Sequence, residues 1–111
     1  MKKIAIPLEG GRLCSHFGHC EQFAVIEVKN QQITGSTLLT PPPHEPGLLP
    51  GWLAQRGVTH VIAGGMGQRA LDLFSAQNIE VTIGAKPKPA EELVADFLNQ
   101  QLETGDNLCD H

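Results

Sequence analysis

The stretch from Val58 to Ile83 restricts the possible folds more than any other part of this chain. Val58-Thr59-His60-Val61-Ile62-Ala63 has the composition of a strand and stops at Gly64-Gly65. Met66 to Gln77 reads as a helix closed by Asn78, which tolerates the left-handed conformation. Ile79 to Ile83 reads as a second strand, ended by Gly84. Two strands joined through a helix lie parallel, because the crossover returns the chain before the second strand starts. A parallel sheet is covered on both faces, so the rest of the chain has to supply cover for both.

The remaining segments fit that demand. Ile4-Ala5-Ile6-Pro7 is a short strand ending at Pro7, and Gly10-Gly11 opens a loop that runs to about Cys20. Gln22 to Val28 alternates, with Ala24, Ile26 and Val28 on one face and Phe23, Val25 and Glu27 on the other. Lys29 to Gln32 suits a hairpin turn, and Ile33 to Leu39 returns as a strand in which Gly35 signals a bulge or an edge. Pro41-Pro42-Pro43 then stops regular structure. Leu48 to Arg56 reads as a helix with Pro50 in its first turn and Gly57 as its stop. After the linker Lys86 to Pro89, Ala90, Leu93, Val94, Phe97 and Leu98 follow the spacing of an amphipathic helix. The expected architecture is a single α/β domain, a mixed five-stranded sheet with flanking helices, over residues 1–104. Gly105 releases a tail, residues 105–111.

Composition removes several function classes. The chain has 111 residues, a length for one domain, and a formal net charge of −4. Aromatics make up 5%, with no Tyr and one Trp. Neither a basic face nor a stacking platform for nucleic acid is indicated. No run approaches the roughly 20 apolar residues of a membrane span. Pro7 and Glu9 interrupt the apolar start before a signal peptide could form. The chain therefore reads as cytoplasmic, and three cysteines in a reducing compartment read as thiols or ligands.

Chemistry concentrates in a few places. Cys14-Ser15-His16-Phe17-Gly18-His19-Cys20 puts two Cys and two His within seven residues. Thiolate and imidazole select zinc, copper or iron–sulfur species. The bland alternative is that Phe17 plugs the core, Gly18 supplies a positive φ and the thiols are small buried hydrophobes. Cys109 and His111, two apart in the tail, can reach one metal, or they belong to a polar terminus. His44, stiffened by the three prolines, is either a ligand or a cap; His60 sits in a strand and reads as a satisfied structural histidine. Gly65-Met66-Gly67-Gln68-Arg69-Ala70 fits G-x-G-x-x-A. It lies past mid-chain, and no acid follows the next strand to take a ribose hydroxyl, so a dinucleotide is disfavoured. What remains is either an anion site at a helix N-terminus, with Arg69 adding a charge-assisted bond, or a plain tight turn. Phosphate-loop, nucleophile-elbow and zincin motifs are absent, and the first strand carries no acid.

Taken together, these residues resemble the dinitrogenase iron–molybdenum cofactor biosynthesis family, the NifX/NifB-type cluster-binding domain. The resemblance rests on Ile4-Ala5-Ile6-Pro7, on Ser15-His16-Phe17-Gly18 with Phe23, and on Leu53 through Ile79 with its Gly64-Gly65-Met66-Gly67 turn. The tail Asn107-Leu108-Cys109-Asp110-His111 adds to it. The resemblance implies a ribonuclease-H-like sheet without nuclease chemistry. It also implies binding of an anionic metal–sulfur cluster, of the iron–molybdenum type or the molybdenum–copper sulfide type held by a small orange relative. His16, Phe17, Gly18, Gly64, Gly65, Met66, Gly67 and Arg69 would then contact the cluster. Cys14, His16, His19, Cys20, His44, Cys109 and His111 are the candidate metal ligands.

The expected function is thus carriage or assembly of such a cluster, not catalysis. Partners would be cluster-donor or cluster-acceptor proteins, with no nucleic acid and no membrane. Three Cys fall short of a four-Cys site, so His, sulfide or a second subunit, in a cluster-loaded homodimer, must complete the ligand set. Two rivals stand beside this reading. One is a cysteine-dependent enzyme with Cys14 or Cys20 as nucleophile and His16 or His19 as base. The other is a regulatory interaction module without a cluster. The first strand ends at Pro7 and the later one at Gly64. If the two are parallel neighbours, the Cys14–Cys20 loop and the glycine turn should border one cleft.

Overall fold

β1 (Lys2–Glu9) occupies the middle of the sheet and is buried from Ile4 to Leu8 on both faces. The computed structural model describes residues 2–14, 21–41, 48–86 and 88–99. Within them the chain continues through β2 (Arg12–Leu13), β3 (Gln22–Lys29), β4 (Gln32–Leu39), α1 (Leu48–Gln55), β5 (His60–Ile62), α2 (Gln68–Ala76), β6 (Glu80–Thr82) and α3 (Ala90–Leu98). The sheet order is β4-β3-β1-β5-β6, with β2 paired to β1 off that path. β1 is antiparallel to β3 and parallel to β5, and β5 is parallel to β6. The expected mixed α/β sheet is present, but with six strands rather than five. The extra one, β2, comes from the segment read above as loop. Gly10 and Gly11, at φ +63° and +83°, make a two-residue turn that folds Arg12 and Leu13 back onto Glu9 and Leu8.

Period-two alternation sorts the strands into two cores. Ile4, Ile6, Leu8, Ala24, Ile26 and Val28 face α3 and meet its Ala90, Leu93 and Val94. Ala5, Phe23, Val25 and Val61 face α1 and α2, which contribute Leu53 and Phe74. Helices therefore cover both faces of the parallel strands, as their burial requires. α2 starts at Gln68, not at Met66. The Met66 side chain is drawn into the second core at 1% exposure, and Gly67 is extended at φ −69° and ψ 160°. The chain cannot enter the helix until it has passed that anchor.

The β3–β4 hairpin turns through Asn30 and Gln31, both at positive φ (54° and 65°). This is the geometry that matches the right-handed twist of the flanking strands. Glu27 pairs with Gly35 and Val28 with Ile33, which leaves Thr34 as the extra residue of a bulge. The Thr34 hydroxyl fastens the bulge by donating to the Glu27 carbonyl at 3.3 Å. Gly35 thus marks both a bulge and an edge strand.

Gln31 lacks the short polar side chain that eases αL, so it carries strain that Asn30 partly avoids. Gln31→Gly is expected to raise stability by roughly 0.5–1 kcal/mol. Gly57→Ala should lower it by a similar amount, about 1 kcal/mol, because Gly57 sits at φ +80°. Urea unfolding of both variants checks the pair of signs.

Candidate functional site

Two chain directions diverge from the centre of the sheet. From β1 the chain moves to β3 on one side, and from β5 it moves to β6 on the other. In open α/β sheets the crevice at the carboxyl ends of two such strands is the ordinary place for a ligand. The β1–β5 ladder is formed by Ile4 with His60 and Ala5 with Val61. Nearer the carboxyl end β1 takes β2 as neighbour instead, through Leu8 with Leu13 and Glu9 with Arg12.

One wall of this crevice belongs to β1 and β2. The Cys14 amide donates to the Pro7 carbonyl at 2.9 Å, and the Glu21 amide donates to the Leu8 carbonyl at 2.9 Å. Both flanks of the 15–20 segment are therefore tied to the carboxyl end of β1. Cys14 is 3% exposed, and its thiol donates to a Glu9 carboxylate oxygen at 3.6 Å. The Glu21 carboxylate accepts from the Gly10 amide at 3.3 Å. β2 is held from its other side by the Leu13 amide bonding to the Lys88 carbonyl and by a bridge between Arg12 and Pro89.

The other wall is the turn from β5 into α2. The β5–β6 ladder carries on past the strand ends, with the Gly84 amide donating to the Gly64 carbonyl at 3.0 Å. Gly64 and Gly65 are buried, whereas Gly67, Gln68 and Arg69 are exposed. Gly67 is the N-cap of α2 and offers no side chain to its amides, and the first turn contains no acid. The positive end of the helix dipole is thus open to solvent and to an anion. A Cβ on Gly67 would meet nothing within 4 Å. Together with its ordinary φ, this means the residue there is not a conformational necessity. The open approach to the amides is what a side chain would change.

Cys14 and the Gly64–Arg69 turn therefore share the carboxyl edge of the sheet, on neighbouring strands. His16, Phe17, Gly18, His19, Cys20, His44, Cys109 and His111 lie outside the described residues, as does the tail. Among the described residues, no group of three or more His, Cys, Asp and Glu side chains is arranged to hold a metal. His60 is at the amino edge. Its Nδ1 is 2.7 Å from the Thr59 hydroxyl and its Nε2 is 3.0 Å from a Glu80 carboxylate oxygen, so it is the satisfied structural histidine expected. Phe97 packs its ring against His60 at 5.8 Å, while Pro89 at the other end of α3 sits beside Arg12. α3 thus runs from the carboxyl edge to the amino edge. Nine residues lie between Asn99 and Cys109, which makes ten Cα–Cα steps. Fully extended they span roughly 33–36 Å, more than the ~26 Å of an eight-residue strand such as β1.

The mixed sheet and its flanking helices define a small α/β domain. Residues 1–100 match the profile described as dinitrogenase iron-molybdenum cofactor, and the chain belongs to that family. An uncharacterized protein of Methanocaldococcus jannaschii is 31% identical over 108 residues, covering 93% of this chain and 91% of its own. The crystal structure of PH0822 is similar with a TM-score of 0.89 at 23% identity, covering 96% of each chain. The apo form of the orange protein from Desulfovibrio gigas is similar with a TM-score of 0.79 at 21% identity, covering 96% of this chain and 95% of its own.

Gly67→Asp separates the two roles of the turn. A carboxylate at the N-cap satisfies the helix amides and is expected to stabilise the protein by a few tenths of a kcal/mol. It also fills the anion position, so affinity for tetrathiomolybdate should fall about tenfold or more, the cost of placing like charges together. Thermal unfolding and isothermal titration of the same variant measure both. Unchanged affinity would reduce the loop to a plain turn.

Proposed function

We propose that this chain binds and carries an anionic metal–sulfur cluster, of the iron–molybdenum or the molybdenum–copper sulfide type. The observation that carries the reading is the N-terminus of α2, with no side-chain cap and no acid in its first turn, at the carboxyl edge of the sheet in a member of this family. The backbone amides and Arg69 would take the cluster's negative charge. Soft donors would come from His16, Cys109 and His111 first, then from Cys14, Cys20, His19 and His44. Phe17 and Gly18 would shape the loop beside them. Met66 would act from below by anchoring the turn in the core, a role its burial supports.

In this reading residues 1–104 form the binding domain and 105–111 supply a ligand-bearing tail. The β4-β3-β1-β5-β6 order supports the ribonuclease-H-like description, and β1 lacks the acid that nuclease chemistry would need among its buried residues. The protein acts as a carrier or assembly factor in the cytoplasm and not as an enzyme. Its partners are the proteins that donate or accept the cluster, and a second copy completes the ligand set when the cluster is loaded. No helix of the described residues is long and apolar enough to cross a membrane.

Anaerobic reconstitution tests this directly. Tetrathiomolybdate with copper, or iron with sulfide, should yield a coloured protein whose metal content survives gel filtration. Replacing Cys109 and His111 together should weaken retention. A wild-type protein with no more colour or metal than a variant lacking all three cysteines would overturn the proposal.

A further inference from the structure

The two edges of the sheet differ in a way the crevice does not explain. β6 is three residues long and opens on the exposed Glu80. β4 is eight residues long, Gln32-Ile33-Thr34-Gly35-Ser36-Thr37-Leu38-Leu39, with no charged residue and no proline. Natural edge strands are usually short, charged or interrupted by proline, because an unpaired row of amides and carbonyls templates pairing with another chain. β4 has one such defence, the bulge at Thr34.

That bulge has a second effect. It shifts the parity of the strand, so that Ile33, Ser36 and Leu38 stand opposite Val28, Ile26 and Ala24. Cross-strand partners project to one face. Ile33 and Leu38 therefore share the face that α3 covers over β1 and β3. At β4 they are the two large hydrophobics left exposed, 42% and 58%. A long neutral edge and an apolar strip beside it belong to the same strand.

We propose that β4 is a homodimerisation edge. Two copies pair antiparallel along it about a two-fold axis near Thr37, so that their sheets become continuous and their exposed Leu38 side chains approach diagonally across the axis. A second copy is the occupant because an antiparallel edge strand is its own hydrogen-bonding complement, and charge places that contact at β4. Each chain carries a formal net charge of −4, so two copies repel at most of their surfaces. β4 carries no charge of either sign, so it can lie against its own copy without like-charge repulsion, and with the axis at Thr37 that residue stands opposite its symmetry mate. A strand edge of ~26 Å is small for a stable interface, so the dimer is a weak, reversible one. The proposal rests on β4 alone and holds with or without a cluster.

Sedimentation equilibrium of the cluster-free full chain over a wide concentration range tests it. The wild type should show a monomer–dimer equilibrium that strengthens with added salt, because salt screens the like net charges. Ser36→Lys and Leu38→Lys should each raise the dimer dissociation constant about tenfold or more, by facing two ammonium groups across the axis. Hydrogen exchange needs no variant: amides of residues 32–39 should become protected as wild-type concentration rises. A monomer at every concentration overturns the proposal. So does a dimer untouched by both lysines, or β4 protection that is already complete in the dilute monomer, which would mean another part of the chain covers the edge. Loss of dimer with metal uptake intact would leave the cluster reading standing.

Discussion

β1 hydrogen-bonds to an antiparallel strand on one side and to a parallel strand on the other, and this asymmetry positions the rest of the molecule. After β1 the chain first folds back as β2 on the side that β5 occupies lower down, and then returns to β3, with the Cys14 and Glu21 amides tied to the Pro7 and Leu8 carbonyls. On the β5 side the chain must cross through a helix, because parallel neighbours cannot be joined by a tight turn. β2 stands beside β1 where the β1–β5 ladder ends. The segments that follow β1 and β5 both start from the carboxyl edge, so sequence change there can alter the rim without disturbing the sheet below.

Much of this was readable before any coordinates. The alternation of Phe23 to Val28, the glycine at position 35, the stop at Gly57 and the helix over Ala90 to Leu98 each follow from a local rule. In each case tertiary packing reinforces that rule. β2 escaped because two residues carry no periodicity; only Gly10-Gly11 announced it, and that pair was equally compatible with an open loop. The start of α2 was misplaced for a different reason. Met66 is a good helix former, but burial of its side chain in the α1–α2 core holds it in the preceding turn. Local propensity lost to packing there. For the site, the sequence placed Cys14 and the glycine turn on one edge by counting strand directions. Ligand identity could not be read the same way, since distant soft donors converge only through chain paths that no local pattern encodes.

The N-terminus of α2 reveals a choice of stability against access. Ser, Asp and Asn cap helices better than glycine does, through a side-chain oxygen that satisfies the first amides. Gly67 gives that up although its φ and its surroundings would admit a side chain. Helix α3 begins differently, with Pro89 at the cap position and Glu91 and Glu92 in the first turn. Negative charge complements that helix's dipole from within the chain. The two helices start at the same edge of the sheet, yet one has its positive end neutralised by its own carboxylates and the other does not.

Distance limits what the tail can contribute. α3 delivers the chain to the amino edge, beside His60 and Lys2, whereas the crevice opens at the carboxyl edge. If Cys109 is to reach the crevice, most of the ten residues after Asn99 must lie extended along the sheet. Each residue so fixed costs roughly 1–2 kcal/mol of conformational freedom. Ten of them offset a sum comparable with the ~10–16 kcal/mol that a structural metal returns to its ligands. A donor tethered in this way would bind a cluster with only a modest net gain and could release it without breaking the fold. Such energetics would suit the carrier role proposed above, whereas a site built wholly on the rigid strands would hold its cargo.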